Sequence, residues 1–128
     1  MSSKVKISGA VAALQKVAED IRRIEAEARS ALYERDDSAV HRKKLEEKAI
    51  LLVDLHEAVE PFLDGMHGEA RADIEDGVND FSHRAGQALD LSSIFYMSVL
   101  LYPDEYQDGD RNDLEEFIDD IRNRYLPQ

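Results

Sequence analysis

The chain has 128 residues, a formal net charge of −12 and no cysteine. That length leads us to expect one domain with a core of its own, and the missing cysteines exclude disulfides, thiolate metal sites and cysteine nucleophiles. The acidity is uneven: residues 1–48 hold 11 Lys/Arg and 9 Asp/Glu, whereas residues 49–128 hold 5 and 19. A field of that sign repels phosphate backbones, so nucleic acid and anionic membranes are not expected partners.

After a short lead, the first predicted helix runs over residues 8–35, with Ser8 as its N-cap. Ile7, Val11, Leu14, Ala18, Ile21, Ala28 and Leu32 recur at three- and four-residue spacing, and Ala10, Val17, Ile24 and Ala31 widen the stripe. Lys4 and Lys6 ahead of Ile7–Leu14, with Ala10-Val11-Ala12 behind, share some features of a signal peptide. The apolar part is too short, however, and continues as a charged amphipathic pattern. No run reaches the ~20 apolar residues of a membrane span, and the expected location is cytoplasmic.

Asp36-Asp37-Ser38 breaks the first helix, because short polar side chains compete with helical hydrogen bonds. A second helix is predicted over 38–63, antiparallel to the first across the short connection. Ile50, Leu51, Leu52, Val53 and Leu55 lie on more than one of its faces, which marks a central element. Pro61 should kink it or start a new turn, and Asp64–Gly68 reads as a turn. The third helix, 69–89, carries Ala70, Ile74, Val78, Phe81 and Ala85 inward and an acidic outer face of Asp73, Glu75, Asp76 and Asp80. Gly77 and Gly86 each weaken it by about 1 kcal/mol relative to Ala, unless they permit close packing on a neighbour.

A fourth helix over 92–102 is apolar all round and belongs in the core or in an interface. An acidic loop then leads to the fifth helix, 112–125, where Asn112 and Glu115 have the form of a capping box. No strand is expected. The fold class predicted is an all-α bundle of four to five helices built on a long N-terminal antiparallel hairpin.

Two groups of residues have metal-ligand chemistry. His56 and Glu60 share a helix face at i, i+4, and Asp80 and His83 stand at i, i+3 on the next helix, as bundle metal sites require. The spacing resembles hemerythrin-like and di-iron bundles, although the duplicated Glu-x-x-His pair and the His-x-x-x-His element are absent. Aligned with a calcium loop, Asp104, Asp108, Asn112 and Glu115 take positions 1, 5, 9 and 12, with Gly109 at the sharp turn. Against this, Tyr106 replaces a ligand and Arg111 an apolar residue. Carboxylate pairs are too frequent in this chain to indicate acid–base catalysis, and no phosphate loop or nucleophile elbow is present.

The sequence Leu100-Leu101-Tyr102-Pro103, followed by acids and an amphipathic helix, resembles part of the bacteriocin-nuclease immunity proteins, which are small, acidic and helical and block basic nucleases. The second tyrosine before the proline is absent here and this chain is longer. The likeness implies aromatic anchors among carboxylates facing a basic protein. The leading expectation is therefore a non-enzymatic interaction module, an adaptor or inhibitor of a basic partner. Its binding residues would be Tyr102, Asp104, Glu105, Tyr106, Asp108 and Asp110, with no cofactor. The wide apolar face of the second helix also suggests self-association as a dimer. The alternative is a metal-binding bundle using either group above.

Overall fold

The apolar stripe of the first segment is buried from Ile7 to Ala31, with Val17 and Leu32 half-buried. In the computed structural model, which describes residues 3–127, α1 spans Ser3–Tyr33. Ile7, Leu14, Ile21, Ala28 and Ala31 all face the core. The helix begins ahead of the predicted Ser8 cap, since nothing in Lys4–Ile7 opposes helical geometry and Ile7 already belongs to the stripe. It ends where Asp36 takes a positive φ of 51°, a conformation that Asp visits more readily than most residues. The Asp37 N–H closes the turn on the Ala31 carbonyl at 2.8 Å.

The predicted second helix is divided in two. α2 covers Ser38–Val53 and α3 covers Leu55–Leu63, with the interruption at Asp54. The Glu57 N–H bonds to Asp54 O, three residues back, at 3.0 Å. In a regular helix it would bond to Val53 O. The Ser82 hydroxyl, from a later helix, donates to Val53 O at 2.8 Å instead, so the break is matched by a tertiary partner. Pro61, the expected site of the kink, lies inside α3. It and Glu57, whose carbonyl loses its donor, are both exposed, where water substitutes for the missing bond.

α1 packs against both α2 and α3. His41 Nδ1 lies 3.0 Å from Ala28 O, Lys44 3.2 Å from Glu27, Lys48 3.0 Å from Glu25, and Phe62 sits over Gly9. Rising positions of α1 thus meet falling positions of α2 and α3. Leu45, Ala49, Leu52, Leu55 and Val59 are buried along this seam, whereas Ile50 is exposed.

After a turn that buries Met66, α4 runs over Gly68–Asp90 and crosses α2, α3 and the later helices. α5 is shorter than predicted, Ile94–Val99, because Ser93 caps its start through the Tyr96 N–H and the chain turns out of helical geometry at Leu100. Leu101 holds a φ of 79°, a strained conformation for a bulky side chain. Two contacts hold it: its side chain is buried, and its carbonyl accepts the Asp113 N–H at 2.9 Å. α6, Asp113–Tyr125, starts from the predicted capping box. Asn112 Oδ1 accepts from the Glu115 N–H and Glu115 Oε1 from the Asn112 N–H, both at 2.9 Å. The architecture is an all-helical bundle, and among the described residues no helix is long and apolar enough to cross a membrane.

Candidate functional site

The expected binding loop is anchored by a residue outside it. Arg22, on α1, reaches across to the 102–115 region. Its Nη2 and Nε donate to Glu115 at 2.7 and 3.1 Å, and its Nη2 also donates to Asp110 O at 3.1 Å. Its Nη1 lies 3.3 Å from Tyr106 Oη and 3.4 Å from Tyr102 Oη. A planar guanidinium with five donors suits this fan of acceptors better than a lysine would. The Arg22 pKa is raised, chiefly by Glu115. For Glu115, burial works against the charge. The Arg22 guanidinium and the Asn112 N–H outweigh it and hold the pKa below the ordinary carboxylate value.

Beneath this anchor lies a buried ion pair. Lys48 of α2 and Glu25 of α1 meet at 3.0 Å, both removed from solvent. Lys48 also donates to Ser98 O at 3.3 Å and stands 5.1 Å from the centre of the Tyr102 ring. The Tyr102 hydroxyl donates to the other Glu25 oxygen at 2.5 Å. Burial pushes the Lys48 pKa down and the Tyr102 pKa up, the latter aided by Glu25. Each charge has its partners inside the protein, and the cluster joins α1, α2, α5 and the loop. Both Glu25 and Lys48 occupy core-stripe positions, Glu25 between Ile21 and Ala28 and Lys48 between Leu45 and Leu52. A charge at such a position is the local signal from which the cluster could be found.

The six expected binding residues therefore divide. Tyr102 and Tyr106 stack edge to face at 4.7 Å between ring centres and are engaged with Arg22 and Glu25. Asp110 fastens its own loop, its carbonyl accepting from Arg22 and Tyr106 and its carboxylate from the Gln107 N–H. Asp104, Glu105 and Asp108 are exposed, and among the described residues they have no ion-pair partner.

The residues of the two metal readings have the following surroundings. Asn112 is buried as the helix cap and Glu115 is held by Arg22, while Asp104 and Asp108 are exposed on the loop. On the other face Glu60, Asp80 and His83 are exposed and Asp80 pairs with Arg84 at 3.0 Å; His56 is only half-buried. Among the described residues no group of three or more His, Asp or Glu is placed to hold a metal ion.

The outer face of α4 is less acidic than its sequence. Arg124 pairs with Asp73 at 2.8 Å, Arg71 with Glu75 at 3.0 Å and Arg84 with Asp80. The Tyr125 hydroxyl donates to Asp73 as well.

What the structure exposes is α5. Of the two places expected for this helix, the core or an interface, the core receives only Met97 of its residues. Leu91 and Phe95 are each 66% exposed, Tyr96 52% and Val99 40%. The Phe95 and Tyr96 rings meet edge to face at 5.5 Å. Beside them an open groove of about 670 Å³ runs between α4 and the Leu100–Pro103 turn. Val99 also borders a second depression with Asp108 and Gly109, so the apolar surface adjoins the acidic loop. Single exposed apolar residues are ordinary; four together beside a groove form a candidate recognition surface.

In comparisons with protein-family models, curated proteins and solved structures, nothing matches this chain.

Proposed function

We propose that this chain is a non-enzymatic protein-interaction module that engages a basic protein, as an adaptor or an inhibitor. The observation that carries the reading is the juxtaposition at α5. Leu91, Phe95, Tyr96 and Val99 are exposed together, and Val99 shares a depression with Asp108, Arg22 and Arg29; the loop carboxylates Asp104, Glu105 and Asp108 have no counter-ion among the described residues. Apolar and aromatic anchors supply affinity when desolvated, while unpaired carboxylates steer a cationic partner and reject an anionic one. The titratable cluster around Lys48 supports the same reading from the other side, because its groups satisfy one another inside the bundle.

The test is affinity capture from the native host with mass-spectrometric identification, run in parallel for three proteins. These are the wild-type chain, a Phe95→Ser/Tyr96→Ser variant and an Asp104→Asn/Glu105→Gln/Asp108→Asn variant. The reading expects a protein of basic isoelectric point that the wild type enriches and both variants lose, with enrichment falling as salt rises. If no protein distinguishes the wild type from either variant, the surface is not the interaction site and the proposal fails. Exposed apolar residues on a short helix also suit a second copy of the chain as a homodimer. A monomeric mass at micromolar concentration in sedimentation equilibrium would remove that alternative.

A further inference from the structure

The walls of the groove have a regular spacing. On the α4 side they are Arg84, Gln87, Ala88 and Leu91, at i, i+3, i+4 and i+7. The facing wall is Tyr96 and Val99 of α5 with the Leu100–Pro103 turn that follows it. Residues at the α4 intervals form a ridge along a helix, and the trough beside such a ridge is the shape that the ridge of another helix fills. The rim carries two carboxylates. Asp90 stands at the end of α4, and Asp113, at the start of α6, meets Arg84 only at 3.8 Å. An extended peptide would need a row of unpaired backbone groups to bond with, and the helical α4 wall presents no such row.

We infer that this groove seats an amphipathic helix of the basic partner. Its apolar residues lie between Leu91, Tyr96 and Val99, and its Lys or Arg residues face Asp90, Asp113 and the neighbouring Asp108. The inference rests on the interaction reading above and adds the form of the partner. Helix-in-groove recognition uses anchors at i, i+3, i+4 and i+7 on the incoming helix, the same intervals that the α4 wall presents. The charge on the rim selects cationic over anionic helices of equal hydrophobicity.

The experiment uses three synthetic peptides of about 18 residues, long enough to place four anchors on one face. One has Leu on one helical face and Lys on the other. The second has the same composition with the Leu positions scrambled so that no face forms. The third keeps the Leu face and replaces Lys by Glu. Binding is read by fluorescence anisotropy and by ¹⁵N chemical-shift changes in the full chain, with far-UV circular dichroism and a urea midpoint to show that each variant is folded. The inference expects the amphipathic Lys peptide to bind at least tenfold more tightly than either control. Shift changes should fall at Arg84–Leu91 and Tyr96–Pro103. The Val99→Glu and Asp90→Asn variants should each weaken it, Asp90→Asn serving as the substitution least able to disturb folding. Equal binding of the ordered and scrambled Lys peptides would mean that charge alone is recognised, which overturns the groove and leaves the interaction reading intact. Tighter binding of the Glu peptide, or shift changes confined to other faces, would also overturn it. If the chain proves to be a dimer whose interface covers Phe95–Val99, the occupant is a second copy and the inference fails. Loss of the capture described above would instead remove the reading beneath it.

Discussion

Arg22 and Glu115 lie 93 positions apart in the chain, and their side chains meet in a bidentate pair at 2.7 and 3.1 Å. Glu115 is at the same time the residue that closes the capping box of α6. One carboxylate therefore starts the last helix and ties it to the first. The acidic loop between α5 and α6 hangs from the same guanidinium through Asp110 O and Tyr106.

Removing that guanidinium should release the loop while leaving the bundle folded. Arg22→Ala is expected to lower stability by about 2 kcal/mol, the scale of hydrogen bonds to charged groups, read from the urea midpoint. Hydrogen exchange should accelerate most over residues 103–111. Arg22→Lys should recover only part of the loss, since an ammonium cannot span Glu115, Asp110 and the tyrosines together. Uniform acceleration across all helices would show that the anchor is global rather than local.

Glu115 gives the pair a pH dependence. Its pKa in the folded chain lies below the ordinary value of 4.5, so the unfolded chain binds its proton first as the pH falls. The stabilisation it contributes is complete above about pH 5 and is lost as the pH drops through the folded value. Glu115→Gln should lower stability at neutral pH and should flatten the acid limb below about pH 4.5. An acid limb of unchanged slope in this variant would assign acid unfolding to other carboxylates.

The buried pair of Lys48 and Glu25 should behave asymmetrically. Lys48→Met alone strands the Glu25 carboxylate and is expected to cost about 3–5 kcal/mol, with Glu25→Leu similar. The triple change Glu25→Leu/Lys48→Met/Tyr102→Phe removes all three interdependent polar groups together. It should recover most of that loss, because no buried charge is left without its partner. Urea unfolding of the single and triple variants decides this. A triple variant as unstable as the singles would mean that the ion pair itself stabilises the bundle.

Two glycines of α4 should respond oppositely to alanine. A Cβ at Gly77 would lie 2.2 Å from the Phe117 ring, whereas one at Gly86 meets nothing within 4 Å. Gly86→Ala is expected to stabilise by up to about 1 kcal/mol through helix propensity alone. Gly77→Ala must displace Phe117 from its edge-to-face contact with Phe81, so overpacking should outweigh the propensity gain and destabilise by about 1–3 kcal/mol. Thermal or urea midpoints of the two variants give the signs directly.

Local patterns on single helices are legible from the order of the residues. The spacing of Ile7 through Ala31 marks the buried face of α1. Asn112 with Glu115 marks the capping box, since both partners lie within one turn. Pro61 misleads, because a proline ring inside a helix ordinarily interrupts it. Its position on an exposed face tolerates the lost bond, while the actual break at Asp54 is matched by Ser82, whose bond to Val53 O spans 29 positions. Within the candidate site, Tyr102 and Tyr106 stand out by residue type and by their acidic neighbours, and their hydroxyls bond to Glu25 and Arg22. Nothing near them in the chain announces that α1 lies underneath.

The sequence by itself determined the helical class, the apolar stripes and the uneven charge, because these follow from residue type at a fixed period of 3.6. Only the tertiary structure decided which charges are neutralised and which apolar residues remain outside. Asp73, Glu75, Asp80, Asp110 and Glu115 are matched by bonds that cross helices, join turns of one helix or close a loop. On the loop itself, the carboxylates without a counter-ion among the described residues are those of Asp104, Glu105 and Asp108. Met97 turns inward while Phe95, Tyr96 and Val99 stay out, because a six-residue helix lying on the bundle can bury one side only. The physical reason is the same for each contact between helices: burial and pairing there are properties of neighbours brought together from distant positions, whereas the pairs of Glu75 and Asp80 lie four residues apart on α4 and are recorded in its local spacing.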